Sequence, residues 1–313
     1  MTRDFSLLIA ELEPRLPAAG SPAAKRLLHG RGGAFPGLEH LVLDWYPPLL
    51  HLICYRPPAE DLPGRLATWL AERLDPQPRG LVLQRRDLPG APQNLVWGRM
   101  PEHPLAIEDG LRYQLHFDRG QNIGFFPDMA VGRRLVRKRA AGQRILNLFA
   151  YTCSFSVAAL NGGAGQVINL DMSRNALDWG RRNHQLNNLD PRRAGFLAHD
   201  LFKSFGKLRR LGPFDLVIAD PPDTQGNSFV PERDWPRLLR RLPELLAPGG
   251  ELLACMAVPR LGRSFLAATI AEHASFLELM ETLRAGEDFP EADPDKGLHL
   301  LRYRNVSTPK NCF

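Results

Sequence analysis

The most constraining feature of the sequence is a regular alternation of strand-like and helix-like segments that begins near residue 120. Short apolar runs have the length of strands, and segments with helical spacing separate most of them. Such alternation predicts an α/β fold, a mainly parallel sheet with helices on both faces. The predicted strands are 145–149, 167–170, 195–198, 216–219, 251–255, 276–280 and 299–303, and the predicted helices are 155–160, 173–186, 235–246 and 264–273. Because ligands of such sheets bind at the carboxyl ends of the strands, functional residues are expected directly after each strand.

The composition indicates an ordinary soluble protein with an anionic partner. The formal net charge is +6, which favours nucleic acid as that partner. No run reaches the roughly 18 apolar residues of a membrane span, and the N-terminus lacks the apolar core of a signal peptide. The 4 cysteines stand far apart, which excludes a disulfide framework and a zinc ribbon and indicates a reducing compartment. We therefore expect a cytoplasmic protein without a membrane partner or a bound metal.

The first forty residues combine a short helix with a basic run. Residues 5–12 have the apolar spacing of a helix, which prolines then end. Lys25, Arg26, His29 and Arg31 follow among flexible glycines. This basic run has two interpretations, a solvated surface loop or a mobile positive arm that contacts phosphates.

Residues 40–117 contain short β-like runs around one helical stretch at 62–74, which predicts a small α+β domain. The predicted strands of this domain are 41–43, 49–55, 81–84 and 113–117. The chain therefore divides into an N-terminal helix and basic arm over 1–40, a small α+β domain with a possible RNA-binding role over 41–118, and the larger domain over 119–313.

Three strand ends of the larger domain indicate a cofactor without phosphates. The turn at 150–154 contains no glycine, whereas dinucleotide sites use glycines there so that the backbone can approach a pyrophosphate. Asp171 ends the second strand, where an acidic residue accepts hydrogen bonds from ribose hydroxyls. Its alternative role is to support the helix N-terminus at Ser173. Asp200 follows the third strand and is placed to accept from an adenine amino group.

The fourth strand carries the strongest signal of the chain. It runs into Asp220-Pro221-Pro222, and two consecutive prolines remove two backbone donors and make the exit rigid. A structural turn is the alternative, although Gly or Asn would form one more easily. An acidic residue followed by two prolines at this place is typical of methyltransferases that act on nitrogen or on nucleobases.

Taken together, these residues resemble class I S-adenosylmethionine-dependent methyltransferases, and more narrowly the large-subunit ribosomal RNA methyltransferase family that makes 5-methylcytosine or 7-methylguanine. The matching segments are 124–128, 147–152, 171–174 with Trp179 and Asn183, and 220–222. The match is good over about 105–305 and loose over 40–104. The resemblance implies a Rossmann-like, mostly parallel sheet of seven strands with a smaller N-terminal α+β domain. It also implies S-adenosyl-L-methionine as cofactor and RNA, within 23S ribosomal RNA, as partner.

Three departures from the family pattern concern the cofactor site and the N-terminus. Cys153 stands where the family usually has Gly. Met129 and Ala130 replace a Gln or His followed by Arg, whereas Arg133 matches the family. The first forty residues are too few to form the compact RNA-binding domain with which many members begin.

The resemblance and the strand ends assign roles to particular residues. The expected cofactor-binding residues are Phe126, Asp128, Arg133, Asn147, Phe149, Tyr151, Thr152, Asp171, Met172, Asp200, Leu201 and Asp220. Asp220, Pro221 and Pro222 are expected to orient the target nitrogen. The expected RNA contacts are Lys25, Arg26, Arg31, Arg134 and Lys138.

The cysteine positions favour a guanine nitrogen over cytosine C5 as the target. Methylation at C5 requires a cysteine thiolate beside the base. Cys255 falls about two residues early for this role, and Ala257 occupies the expected position. Asp223 stands where enzymes that methylate amino groups often have an aromatic residue, which favours ring N7. Two alternatives remain, a methyltransferase for a protein or small molecule and an RNA-binding module that has lost catalysis.

Overall fold

The computed structural model describes residues 3–118, 120–223, 229–258 and 260–307. The chain divides into a first unit, Met1–Asp128 with Gly286–Pro294, and a second unit, Met129–Ala285 with Asp295–Phe313. The strands are β1 (Lys25–His29), β2 (Leu41–Tyr46), β3 (Leu49–Cys54), β4 (Gly80–Arg85), β5 (Gln93–Gly98), β6 (Leu105–Glu108), β7 (Leu111–Gln114), β8 (Arg144–Leu148), β9 (Gln166–Asp171), β10 (Ala194–Ala198), β11 (Phe214–Ala219), β12 (Leu246–Met256), β13 (Leu277–Arg284) and β14 (His299–Asn305). The helices are α1 (Arg3–Leu12), α2 (Leu62–Ala71), α3 (Ala130–Arg139), α4 (Ser154–Asn161), α5 (Arg174–Leu186), α6 (Phe205–Leu211), α7 (Pro231–Leu239) and α8 (Gly262–His273).

The second unit is built on a seven-stranded sheet in the order β10-β9-β8-β11-β12-β14-β13. The first five strands in this order are parallel, and β14 is antiparallel to both of its neighbours. The predicted mostly parallel sheet of seven strands is therefore confirmed. Parallel pairing brings the carboxyl ends of β10, β9, β8, β11 and β12 to one edge of the sheet.

Burial on both faces explains why the central strands of this sheet, β8, β9, β11 and β12, were predictable. Alternate residues of a strand point to opposite faces, so Leu146 and Leu148 enter one apolar cluster while Ile145 enters another. Trp235 and Phe214 are fully buried in the first of these clusters. A strand that is covered on both faces reads as a continuous apolar run, which is the pattern in the sequence.

The first unit contains a five-stranded sheet in the order β1-β2-β3-β4-β5 and a hairpin of β6 and β7. Residues of α1 and α2 share one apolar cluster with the sheet, in which Leu8 and Leu70 contact the group that includes Leu43 and Trp45. The strand β5 lies at the end of the sheet, and Leu95 and Val96 in it are exposed. The sequence predicted neither β5 nor β6.

The prediction of a flexible basic arm was wrong, because residues 25–29 form β1. This strand pairs with β2, and Leu27 and Leu28 are buried. The guanidinium of Arg26 donates to both carboxylate oxygens of Asp44 at 2.6 and 2.9 Å. The cross-strand carboxylate neutralises the arginine, and the two leucines anchor the strand, so the basic residues lie in ordered structure.

A short segment, 286–294, belongs to the first unit although both of its flanks belong to the second. The backbone of Gly33 pairs with Glu291, and the Ala292 amide donates to the carbonyl of Gly32 at 2.8 Å. Asp288 lies 3.6 Å from the Lys25 ammonium. A Cβ on Gly32 would come within 2.0 Å of a carbonyl oxygen of this segment, so glycine permits the close approach.

Other boundaries differ modestly from prediction. The helix expected at 235–246 is α7, which begins at Pro231 and ends at Leu239. Proline is favoured in the first turn of a helix, so the start shifts toward it. The strand expected at 113–117 is β7, which ends at Gln114, and α3 was not predicted as a helix. Among the described residues, none of the helices has both the length and the apolar character for a membrane crossing.

Candidate active site

In the turn after β8, three non-glycine residues have a positive φ angle, in the left-handed region that favours glycine. The φ angles are 56° for Phe149, 45° for Tyr151 and 62° for Cys153. Each such residue costs about 1–2 kcal/mol relative to ordinary backbone. Hydrogen bonds fix the turn, since the Ala150 amide donates to the carbonyl of Leu170 at 3.0 Å and the Cys153 amide to that of Ala150 at 2.7 Å. The glycine-free turn therefore adopts a glycine-like path under strain.

Asp171 at the end of β9 ties this turn to the next loop. One of its carboxylate oxygens accepts from the backbone amide of Tyr151 at 2.9 Å, and the other accepts from the amide of Ser173 at 2.8 Å. The residue is 8% exposed, and burial raises the pKa of its carboxyl group. A carboxylate has about four acceptor positions, so Asp171 keeps capacity for further donors.

A cleft opens beside Asp171 between the ends of β8, β9 and β10. Its lining combines aromatic and aliphatic side chains with two carboxylates, namely Phe149, Leu170, Asp171, Met172, Asp200, Leu201 and Phe202. Asp200 supports the wall, because one of its oxygens accepts from the amide of Lys203 at 3.0 Å. The cleft thus brings together five of the predicted cofactor residues. Phe202 was not predicted, although it directly follows Leu201 in the same apolar pair.

A buried polar network holds the elements around the turn together. Asn147 donates to the side-chain oxygen of Asn169 at 2.9 Å, and Asn169 donates to the hydroxyl of Ser156 at 3.1 Å. The Nδ1 of His184 lies 2.7 Å from the carbonyl of Gly180, so Nδ1 carries the proton and Nε2 accepts from Ser156 at 2.9 Å. Burial lowers the pKa of His184, which keeps the ring neutral. Asn147, predicted to bind the cofactor, is 2% exposed within this network.

Cys153 packs against Gly180 of α5. It is fully buried, and a Cβ on Gly180 would come within 2.4 Å of its sulfur. The side chain of Asn183 donates to the carbonyl of Thr152 at 3.0 Å and holds the same turn against α5. The thiol in place of the family's glycine is thus accommodated by the missing side chain at Gly180.

We expect Gly180→Ala to lower the free energy of unfolding by about 1–3 kcal/mol, the usual cost of overpacking. Cys153→Gly in the same chain should restore most of this loss, because it removes the sulfur and suits a positive φ. Urea titration followed by circular dichroism measures both effects. Gly206→Ala is the matched control, since a Cβ there meets nothing within 4 Å. Equal destabilisation in the presence and absence of Cys153 would contradict this packing.

The acidic turn after β11 lies at the same edge of the sheet. Ala219 of β11 pairs with Leu148 of β8, and Leu148 pairs with Leu170 of β9. The next residue along each strand is Asp220, Phe149 or Asp171, so these three residues lie level with one another. Pro221 is buried and Asp223 is exposed, with an oxygen 3.7 Å from the guanidinium of Arg260. Asp220 therefore follows a strand that is a neighbour of the cleft-lining strands.

The described cysteines are buried. Cys255 is 1% exposed and packs in the apolar cluster that contains Phe155, whereas Ala257 directly after β12 is exposed. Burial raises the pKa of the Cys54 thiol to about 12 and that of Cys153 well above its usual value. Cys312 lies outside the described residues. Burial therefore disfavours a thiolate at Cys54 and Cys153.

The predicted basic residues of the second unit separate into a buried one and two exposed ones. Arg133 in α3 is 1% exposed, whereas Arg134 and Lys138 in the same helix are exposed. The RNA contacts of Arg134 and Lys138 and the cofactor role of Arg133 stay predictions.

The predicted residues of the first unit have partners within that unit. Lys25 faces Asp288, and the guanidinium of Arg31 lies 4.4 Å from the centre of the Tyr55 ring. Arg26 is bound by a carboxylate that is 3% exposed, so charge reversal there would break a buried ion pair, at a cost of about 3–5 kcal/mol. Such a variant would report on folding rather than on RNA binding. Phe126 and Asp128 also belong to this unit, and their cofactor role stays a prediction.

The amino-acid sequence is similar to those of curated ribosomal RNA methyltransferases. "Ribosomal RNA large subunit methyltransferase I" of Aeromonas hydrophila is 33% identical over 206 residues, covering 63% of this chain and 52% of that protein. The protein of the same name from Serratia proteamaculans is 34% identical over 229 residues, covering 70% of this chain and 58% of that protein. The chain thus spans somewhat more than half the length of these relatives.

The solved structures show the same fold. A putative methyltransferase complexed with SAH has a TM-score of 0.84 at 23% identity, covering 97% of this chain and 81% of that chain. A putative S-adenosylmethionine-dependent methyltransferase from Streptococcus mutans has a TM-score of 0.85 with the same identity and coverage. A family model described as S-adenosylmethionine-dependent methyltransferase matches residues 25–304. The chain therefore belongs to the family of S-adenosylmethionine-dependent methyltransferases.

Proposed function

We propose that the chain transfers the methyl group of S-adenosylmethionine to a base of 23S ribosomal RNA in the cytoplasm, with a guanine nitrogen favoured over cytosine C5. The observation that carries the proposal is the alignment of Phe149, Asp171 and Asp220 at one edge of the parallel sheet. With this alignment, Asp220 would face the target base beside a cleft that would hold the methyl donor. The names of the curated relatives support ribosomal RNA as the substrate class.

The side chains that line the cleft have the chemistry to bind the adenosyl part of the cofactor. Asp171 would hold the ribose, because a buried carboxylate with remaining acceptor capacity binds vicinal hydroxyls. Asp200 would accept from the adenine amino group, and the faces of the ring would contact Met172 and Leu201 from the same cleft. Tyr151 and Thr152 in the strained turn would line the methionine side. The cofactor supplies an activated methyl group on a sulfonium, and the protein supplies position.

The cysteines support nitrogen over carbon as the acceptor. Attack at cytosine C5 requires a thiolate that adds to the ring. Cys255 packs into the core, and the exposed residue at the end of that strand is Ala257. Guanine N7 has a lone pair and no proton, so it needs neither a thiolate nor a base. A guanine ring nitrogen therefore suits the described residues better.

Asp220 would stabilise the product charge. When N7 of guanine gains a methyl group, the purine becomes cationic, and a fixed carboxylate favours that charge as it develops. The rigid prolines after Asp220 hold the carboxylate and offer their carbonyl oxygens to the base edge. The exposed residue after the prolines is Asp223, which has no aromatic ring to stack on the target base.

Exposed cations support RNA as the partner. The chain carries a formal charge of +6, and Arg134 and Lys138 are exposed on α3. Neutralisation of phosphates by such residues makes binding weaken steeply with salt. A protein or small-molecule substrate would show much weaker salt dependence, which separates these readings.

Mass mapping of nucleosides tests the proposal directly. We expect 23S ribosomal RNA from a strain without the gene to lack one methylated guanosine, which the wild-type protein restores in vitro with labelled S-adenosylmethionine. The Asp220→Asn protein should fail to restore it. Loss of a 5-methylcytidine instead would overturn the choice of base, and an unchanged nucleoside map would overturn the RNA target.

A further inference from the structure

A second depression of the second unit lies beside β10, the terminal strand of the sheet. It lies between the start of α5, the end of β10 and α6, and it is open to solvent. We call it the edge groove and define it by Arg174, Arg181, Phe196, His199 and Lys207. None of these residues belongs to the cofactor cleft described above.

The edge groove carries an excess of positive charge. Three of its lining residues are cations, Arg174, Arg181 and Lys207, and among the described residues that line it only Asp178 is a carboxylate. The guanidinium of Arg181 lies 3.5 Å from Asp178, and both side chains are half exposed. This pair leaves two cations uncompensated within one concave surface. A concave surface with this excess attracts polyanions.

An aromatic ring orders one of these cations. The Cζ of Arg181 lies 4.1 Å from the centre of the Phe196 ring, so the guanidinium is stacked rather than only solvated. The edge of Phe196 also meets the buried ring of His184, with centroids 5.3 Å apart. A guanidinium plane fixed in this way provides a stacking surface for a nucleobase as well as a charge for a phosphate.

The edge groove and the cofactor cleft are lined by residues that are neighbours in the chain. His199 directly precedes Asp200 of the cleft, and Arg174 is two residues from Met172. The ammonium of Lys207 lies 3.5 Å from the His199 ring nitrogen. The ends of β10 and β11 are three strand spacings apart, roughly 14 Å. An RNA strand whose target base lies at Asp220 can therefore reach the edge groove with nucleotides only a few positions away.

We infer that the edge groove binds the sugar–phosphate backbone of the RNA substrate, with a base stacked on Arg181. The inference rests on the proposed function and adds a contact that lies apart from the target base. It predicts a contribution to RNA affinity without a contribution to cofactor affinity.

The test removes two positive charges from the groove and compares the result with the removal of two positive charges of α6 that lie outside it. Arg174→Ala with Lys207→Ala is the groove variant, and Arg209→Ala with Arg210→Ala is the control, which changes exposed residues of α6 outside the groove. Filter binding over a salt series measures affinity for 23S ribosomal RNA from the strain without the gene, and for a 20-mer of polyuridine. Calorimetry with S-adenosylmethionine shows whether each variant remains folded.

We expect the groove variant to bind RNA about tenfold more weakly at moderate salt than the control. The slope of log affinity against log salt should fall by about 1.4, the value for two lost contacts to a single strand. Arg181→Lys keeps the charge but loses the planar stack, so it should weaken binding with little change in slope. Cofactor affinity should be unchanged in all three variants.

Equal RNA affinity and salt slope in the groove variant and the control would overturn the inference while leaving the proposed function intact. If the wild-type protein binds S-adenosylmethionine but neither RNA, the proposed RNA function fails and the inference fails with it. Weakened binding of an acidic peptide rather than RNA would assign the groove to a protein partner and would also overturn the inference.

Discussion

Asp171→Asn is expected to weaken binding of S-adenosylmethionine about 100-fold, equivalent to about 2.8 kcal/mol. The substitution removes the charge that, in the proposed function, would hold the ribose hydroxyls. It also places an amide NH₂ against backbone donors, since the carboxylate accepts from the amides of both Tyr151 and Ser173. Calorimetric titration measures the loss. Glu272→Gln, at an exposed carboxylate of α8, is the control and should bind the cofactor normally.

The same carboxylate should make cofactor affinity depend on pH. Burial raises the pKa of Asp171, so the group takes up a proton at a pH above the ordinary value for aspartate, about 3.9. The protonated form is the poorer acceptor, and affinity should therefore fall as the pH is lowered through this raised pKa. The Asn variant should show a flat profile over the same range. Parallel profiles for the two proteins would contradict this role of Asp171.

Asp220→Asn is expected to lower the rate of methyl transfer about 100- to 1000-fold, the usual effect of removing one group that stabilises developing charge. The affinity for the cofactor should change much less, because the proposed ribose and adenine contacts lie on other strands, although Asp220 was also among the expected cofactor residues. Single-turnover assays with labelled cofactor and unmethylated 23S ribosomal RNA measure the rate.

Asp223→Asn provides the matched control for this prediction. It removes a carboxylate from the same turn, but one that is exposed and faces Arg260. A modest change in the control together with a large loss at Asp220 would locate the chemistry at the strand end. Equal rates for wild type and Asp220→Asn would remove Asp220 from the reaction.

The central strands of the α/β sheet could be predicted from the sequence because they are largely buried. Apolar runs indicated β8, β9, β11 and β12, and Ser173 was correctly placed at the start of α5, where its hydroxyl accepts from Ala176. The edge strand β13 was predicted at 276–280 although most of its side chains are exposed or half-buried. β5, in which Leu95 and Val96 are exposed, was not predicted.

Interactions between distant residues account for most of what the sequence concealed. Arg26 reads as a surface cation until the cross-strand position of Asp44 is known. In the same way, nothing in the sequence indicated the left-handed backbone at Phe149 and Cys153, because residues with a side chain disfavour positive φ angles. The cleft residues after β9 and β10 were found because the parallel topology fixes where strand ends meet.

The placement of residues 286–294 in the first unit has a practical consequence for dissecting the protein. A fragment that stops at Asp128 would leave Gly32 and Lys25 without the stretch that pairs with them. The chain crosses between the units at three positions, after Asp128, Ala285 and Pro294, so the smaller piece would have to be expressed with that nonapeptide joined through a linker. Deleting the nonapeptide from the larger piece would in turn require a short loop from β13 to β14.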